Sequence, residues 1–405
     1  MANILGINLS ELSRLGVMKK IGEFLNGTGQ HYLVTPNPEI ILNARRDEEL
    51  FYILNKADLA VADGFGLKLA GFLFGKKIPR LTGADLTLDL LRLAQEKNFR
   101  ITVLNWRGGL SRAEEIKDVL KKEYPRLETL ILDASRSQPL APKIIDQIND
   151  FAPTVLFSTF GSPYQEKKIY HNLTKLPAVR LALGVGGTFD FITGRAKRAP
   201  KFLRAAGLEW LWRLIIPAKG HGAKIRRGKR IYRATLVFGG QLFRAKISRF
   251  FYRPNVACLL YKKNNGLIKI LIVEREDEPG HWQLPQGGTD GESLAKAGAR
   301  EMREELNTDK FLVKATFKNT YSYLFPPVSQ QRSLSLSPNY KYDYKGQRQG
   351  LCIAEFTGRD EDIKVNFWDH RNWKWVEEHE LVSRIQPARQ ESAKIFLTKF
   401  KSLNL

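Results

Sequence analysis

Cysteine is nearly absent from this chain: Cys258 and Cys352 are the two in 405 residues. Two thiols cannot build a disulfide framework, and they point to a reducing compartment. Long apolar runs are missing too. No stretch reaches the roughly 18–20 apolar residues that a membrane-spanning helix requires. The opening MANILGINLSELSRLG lacks the basic-then-apolar order of a signal peptide and reads as a strand followed by a helix. Internal repeats and low-complexity tracts are also absent.

Acid is scarce in one place. From Arg195 to Arg253 there are 17 Lys and Arg and a single acid, Glu209, so this segment carries +16 of the chain's +23. A segment of that kind seeks phosphate, in lipid headgroups, nucleotides or nucleic acid. Its apolar pieces, LEWLWRLII (208–216) and ATLVFGGQLF (234–243), interleave aromatics with the charge.

What is present is enough for two or three domains. Residues 1–200 alternate short apolar runs with amphipathic stretches. Strands are expected at 3–7, 31–35, 58–62, 101–105, 129–133, 154–158 and 179–185, with helices at 38–54, 84–96, 110–122 and 164–175. That alternation predicts a Rossmann-like, doubly wound α/β sheet, in which ligands bind beyond the carboxyl ends of the strands. Residues 201–253 form a basic, helical, aromatic appendage and linker. After Pro254, two β runs around Asn264-Asn265-Gly266 read as a hairpin, which opens a further domain at 254–405. Strands are expected at 350–358 and 372–377 and a closing helix near 388–402; Trp373 and Trp375 alternate on a strand and read as core.

The segment GGTDGESLAKAGAREMREE (287–305) carries the most chemistry. Glu301, Glu304 and Glu305 fall at i, i+3 and i+4, so a helix places them on one face. Three converging carboxylates repel one another unless a hard cation, Mg²⁺ or Mn²⁺, sits among them. Glu292 lies eight residues before Arg300, close enough to pin the glycine loop to the helix through a carboxylate–guanidinium pair. A solvated helix with i,i+4 charge pairs is the plainer reading, but it leaves LPQGG (284–288) and this spacing unexplained.

These residues resemble a Nudix box, the signature of hydrolases that cleave a diphosphate linked to another group. The resemblance implies an α/β/α sandwich, metal ligation by Glu301, Glu304 and Glu305, catalysis through Glu304 and Glu305 with one of these glutamates or one outside the box as base, and structural roles for Glu292 and Arg300. Counted back from Glu292, the loop is one residue shorter than the family's, and Asn307 replaces the glycine that usually ends the helix. Asn tolerates the left-handed conformation needed there. WQLPQGG (282–288) and YKGQRQ (344–349) resemble the branch acting on dinucleoside polyphosphates and 5′-triphosphorylated RNA, with Tyr344, Lys345 and Arg348 as contacts to substrate or, alternatively, an exposed polar loop.

In the first half, polar or glycine residues follow each apolar run: TPNPE (35–39), DGFG (63–66), RLTGADL (80–86), GSPYQEKK (161–168) and GVGGTFDFITGRAKRAP (184–200). Glycines there let phosphates approach the backbone. Asp63, at a strand end, could accept a proton from a hydroxyl; its plainer role is a helix N-cap. Together with RAPKFLRAAGLEWLWRL, the ordered set resembles the WecG/TagA/CpsF glycosyltransferases over roughly residues 1–215.

That resemblance implies transfer of an N-acetylmannosamine-type sugar from its UDP form to a lipid-diphosphate-linked acceptor, in cell-surface polysaccharide synthesis. The enzyme would be cytoplasmic and peripheral on the inner face of the membrane. It implies Asp63 as the base, inversion at the sugar carbon and no obligatory metal. Thr35, Asn37 and Gln165 would line the cleft, Arg80 would meet phosphate, and Gly186, Gly187 and Asp190 would hold the nucleotide. Thr35 and Asn37 flank Pro36, so a plain turn competes for them. In the appendage, Trp210, Trp212, Leu214, Ile215 and Ile216 would enter an anionic membrane while Arg213, Arg226, Arg227 and Arg230 meet phosphates. Core packing competes for the tryptophans, and RNA competes for the charges. The Nudix part is expected to hydrolyse a nucleoside-diphosphate-linked substrate, with two alternatives: a nucleotide-sensing module, or an RNA pyrophosphohydrolase fed by the basic linker.

Overall fold

The computed structural model describes residues 1–136, 139–200, 202–203, 212, 228–229, 231–248, 250–264, 266–325 and 344–404. The chain divides into two compact units, Met1–Phe243 and Arg244–Leu405.

The first unit opens with a hairpin of β1 (Ala2–Ile4) and β2 (Ile7–Leu9). The expected first strand, 3–7, is therefore cut in two and takes no part in the main sheet. Leu5 and Gly6 turn the chain at φ 51° and 89°, and the Gly6 N–H donates to Asn3 Oδ1 at 3.0 Å. Helix α1 (Arg14–Asn26) leads to β3 (His31–Val34), and the expected helix 38–54 is broken into α2 (Pro38–Ala44) and α3 (Glu48–Lys56). Asp47 makes the break by accepting from Leu50 N at 3.0 Å, which caps a new helix.

There follow β4 (Leu59–Ala60), α4 (Phe65–Leu73), α5 (Gly83–Lys97), β5 (Ile101–Trp106), α6 (Ala113–Glu123) and β6 (Thr129–Ala134). Then come α7 (Pro142–Phe151), β7 (Val155–Ser158), α8 (Tyr164–Asn172), β8 (Leu181–Gly184) and the short α9 (Thr188–Ile192). Six strands form one parallel sheet in the order β4-β3-β8-β7-β5-β6. Its central strands read as continuous apolar runs because helices cover them. Leu33, Val103, Val155, Phe157, Leu181 and Leu183 meet Val17 and Ile21 of α1 and Leu86, Leu90 and Leu91 of α5 in one buried cluster. Helix α10 (Phe238–Ser248) lies within the basic segment. Trp210, Arg213, Leu214, Ile215, Ile216, Arg226, Arg227 and Arg230, the expected membrane and phosphate contacts, lie outside the described residues.

The second unit is a mixed seven-stranded sheet between two helices. Strand β9 (Tyr252–Asn264) pairs antiparallel with β10 (Leu267–Arg275) and parallel with β14 (Gly346–Phe356). The short β11 (Trp282–Gln283) and β12 (Gln286–Gly288) join β10 and β9, while β13 (Phe311–Leu324) and β15 (His370–Glu377) pair with β14 and β10. Alternation along β9 feeds two cores. Val256, Cys258 and Leu260 face Ala297, Met302 and Leu306 of α11 (Leu294–Leu306). Ala257, Leu259 and Tyr261 face Ala393, Phe396 and Phe400 of α12 (Gln390–Lys401). Trp373 and Trp375 pack against the α11-side core, and no described helix is long and apolar enough to cross a membrane.

Candidate active sites

In the first unit the unusual residues gather beyond the carboxyl ends of β3 and β4. The ladder continues past the strands: Val61 N donates to Val34 O at 2.9 Å, and Asp63 N to Pro36 O at 2.8 Å. This holds Asp63 beside the Thr35–Pro36–Asn37 turn. Helix α4 begins after Gly64, whose φ of 109° only glycine adopts easily, and no side chain caps it. Asp63 is thus not the N-cap of α4. Its Oδ2 instead accepts from Gly83 N at 3.4 Å, at the first turn of α5.

Thr35 is buried, and a Cβ added at Gly83 would stand 3.2 Å from its hydroxyl, so glycine is what lets α5 approach. Asp63, Thr35 and Gly83 therefore form one cluster. Thr82 caps α5 through Asp85 N at 3.1 Å, and Arg198 braces that cap by donating to Asp85 at 2.8 Å and Thr82 at 3.1 Å. Asn37 is the cap of α2, its Oδ1 accepting from Ile40 N at 2.9 Å. Arg80, half-buried, lies three residues before Gly83.

A second cluster lies at the ends of β7 and β8. Gln165 is buried, and its Oε1 accepts from Gly161 N at 3.1 Å and Gly186 N at 3.0 Å, fastening two glycine loops together. Its amide donates at 2.9 Å to Glu166, whose carboxyl burial pushes above the usual carboxylate range. Asp190 accepts from the Ser111 N–H at 3.1 Å and hydroxyl at 2.7 Å, tying the β8 loop to the β5 loop, and it lies near Gly187. Gln165 and Asp190, expected to touch ligand, thus organise the loops from within. Arg136, which no sequence motif singles out, stands beside Gly161 of this cluster. The Arg136 guanidinium lies 3.4 Å over the Trp106 ring and 5.3 Å from that of Tyr164, a cationic stack at the ends of β5 and β6.

In the second unit α11 starts at Ser293, whose side chain caps it, and ends at Asn307 in the left-handed conformation, φ 49° and ψ 35°. Arg300 is the organiser. Its Nε donates to Glu292 at 2.9 Å, Nη1 to Glu301 at 2.6 Å and Glu304 at 3.0 Å, and Nη2 to the Gly288 carbonyl at 2.7 Å. One planar fork thus ties loop and helix. Gly287 lies directly against the Glu301 carboxylate, with no space for a side chain.

Glu301 and Glu305 are nearly buried one turn apart, but Glu304 is 45 % exposed and turned to Arg300. The expected three-way convergence is therefore a buried pair with a third acid held at its rim. Among the described residues no three His, Cys, Asp or Glu groups are gathered closely enough to hold a metal. The donor chemistry still suits a hard divalent cation. Burial and the Glu305 charge push the Glu301 carboxyl up to about 8, a cost that a bound cation removes. His370 Nε2 lies 3.1 Å from Glu305, and burial pushes this imidazole down to about 4, so it is neutral. No spacing in the sequence points to His370, which comes from β15. Lys345 and Arg348 are exposed and flank the Tyr252 ring at 4.4 and 5.1 Å.

Comparison with known proteins follows the same division. The model of the glycosyl transferase WecG/TagA/CpsF family matches residues 2–249, and that of the NUDIX domain matches residues 251–398. An N-acetylglucosaminyldiphosphoundecaprenol N-acetyl-beta-D-mannosaminyltransferase of Bacillus subtilis (strain 168) is 30% identical over 214 residues, which cover 49% of this chain and 80% of that protein. The corresponding Staphylococcus aureus (strain MRSA252) protein is 26% identical over 227 residues, 54% of this chain and 86% of that one. An RNA pyrophosphohydrolase of Wolbachia pipientis subsp. Culex pipiens (strain wPip) is 35% identical over 156 residues, 38% of this chain and 91% of that protein.

Proposed function

The chain belongs to the WecG/TagA/CpsF family of glycosyltransferases and continues into a Nudix hydrolase domain, and from that premise we propose that it is a bifunctional enzyme. The transferase occupies residues 1–200, a basic appendage 201–253, and the hydrolase 254–405. The first site moves an N-acetylmannosamine-type sugar from its UDP form to a lipid-diphosphate-linked acceptor on the inner face of the membrane. The observation that carries this is the placement of Asp63, beyond the carboxyl end of a parallel sheet, against the N-terminus of α5 and next to the Thr35 turn.

Asp63 takes the proton from the acceptor hydroxyl. That oxygen bonds to the anomeric carbon on the face opposite UDP, and the C–O bond to UDP breaks with its electron pair leaving on the diphosphate. Thr35 and Asn37 shape the cleft, Arg80 offsets charge on the diphosphate, and Gly186, Gly187 and Asp190 hold the nucleotide loop, with Gln165 behind it. No metal is required at this site. UDP release from UDP-N-acetylmannosamine, dependent on a lipid-diphosphate acceptor and with inversion read by NMR, is the test. Release independent of acceptor, or retention of configuration, would contradict it.

The second site hydrolyses a nucleoside-diphosphate-linked substrate, and the 5′ end of RNA is the first candidate because relatives of this domain carry that activity in their names. Glu301, Glu304 and Glu305 would hold Mg²⁺ or Mn²⁺, which when bound polarises the diphosphate and lowers the pKa of water. Arg300 and Glu292 keep the loop closed on these acids, and Lys345 and Arg348 beside Tyr252 meet phosphate and base. Phosphate or diphosphate release from a nucleotide panel tests this reading, and binding without release would favour a sensing module.

A further inference from the structure

Helix α4 follows Asp63 by two residues and is built the wrong way round for a water-facing helix. Its small residues, Ala70 and Gly71, are buried together with Leu67. Its large apolar residues are outside: Phe72 is 83 % exposed, Leu69 57 %, Phe65 42 % and Leu73 37 %. At 3.6 residues per turn, positions 65, 69, 72 and 73 share one stripe, and Leu67, Ala70 and Gly71 share the opposite one. Single exposed apolar side chains need no explanation, but a contiguous stripe of four marks an interaction surface.

The inward face is fixed by close approach. A Cβ at Gly71 would come within 2.7 Å of Ile78 and 2.9 Å of the Lys76 carbonyl, so α4 sits tightly on the loop that follows it. The stripe is therefore presented outward by the packing beneath it. Its surroundings are basic: from Gly64 to Arg80 there are four cations, Lys68, Lys76, Lys77 and Arg80, and no acid. Lys68, Lys76 and Lys77 are exposed. Glu11, whose charge reaches Lys76, is already held by the Met1 amine at 3.0 Å.

We propose that the outer face of α4 docks on an anionic lipid bilayer, with Phe65, Leu69, Phe72 and Leu73 in the interface and Lys68, Lys76 and Lys77 on lipid phosphates. Large apolar residues flanked by lysines are what an in-plane interfacial helix presents to acidic lipids. An apolar protein partner would bury the stripe equally well but would supply no counter-charge to the exposed Lys68, Lys76 and Lys77 beside it. Docking here rests on the transferase reading and sharpens it. Because Gly64 joins the helix directly to Asp63, the membrane surface comes to the base, where a lipid-anchored diphosphate presents its sugar hydroxyl.

The test uses the full chain carrying Phe72→Cys labelled with an environment-sensitive fluorophore, and Lys121→Cys on α6 as the control. Cys258 and Cys352 are fully buried and do not compete for label. With phosphatidylglycerol-containing vesicles the label at 72 shifts to the blue and is quenched by acyl-chain quenchers, while the label at 121 does neither. Vesicles of phosphatidylcholine alone bind roughly tenfold or more weakly, as each lysine contributes near an anionic surface. Vesicle binding without a shift at 72 overturns the proposal. A blue shift that grows with protein concentration, without vesicles, overturns it in favour of a second copy. None of these readouts needs turnover, so they stand apart from any failure of the transferase reading.

Discussion

Gly287 lies so close to Glu301 that any side chain there would occupy the space of the carboxylate. The glycine of β12 and the first acid of the helix thus share one small volume, with Arg300 closing it from the loop side. Gly287→Ala forces Glu301 out. The expected result is the loss of metal-dependent hydrolysis together with about 1–3 kcal/mol of stability from overpacking. Hydrolysis assay and thermal melting of the same sample check it, and unchanged turnover would contradict it.

Arg300→Lys keeps the charge and loses the fork. A lysine cannot reach Glu292, Glu301, Glu304 and the Gly288 carbonyl at once. Hydrolysis is expected to fall about 10–100-fold, as is usual when a residue that orients metal ligands is changed. Steady-state kinetics at saturating Mg²⁺ decide this, and a wild-type rate would mean that Arg300 does not orient the acids.

Glu304→Gln and Glu305→Gln are expected to abolish Mg²⁺-dependent release while nucleotide binding, followed by calorimetry, persists. If the wild type binds nucleotide and releases nothing, the second domain is a sensor.

Much of the parallel sheet was legible because central strands covered on both faces are continuous apolar runs. The segment 3–7 misled for a local reason: Leu5 and Gly6 adopt left-handed backbone and fold the run back on itself. Asp47 likewise splits a continuous helical pattern by capping. The glutamate helix was legible because its chemistry is local in sequence, although the turn of Glu304 toward Arg300 was not. The loop ties made by Gln165 and Asp190 were not legible, because their partners, Gly186 and Ser111, are distant along the chain. The Arg136–Trp106 stack arises only from the parallel register that sets Trp106 beside Ala134.

Burial raises the Glu166 carboxyl above its ordinary 4.5. A raised folded value favours the protonated form. Its contribution to stability is therefore full below the unfolded value and is lost as pH rises through the folded one. Glu166→Gln removes the titration and is expected to flatten the fall of melting temperature with rising pH in the first unit. Parallel pH slopes for the two proteins would show that this carboxyl does not titrate differently on folding.

The transferase account stands on Asp63, and Asp63→Asn tests it most directly. The amide keeps the shape of the side chain and cannot take a proton. Acceptor-dependent UDP release from UDP-N-acetylmannosamine is expected to fall about 10²–10⁴-fold, the usual contribution of a general base, with the donor KM little changed. Release at the wild-type rate in Asp63→Asn would contradict the account.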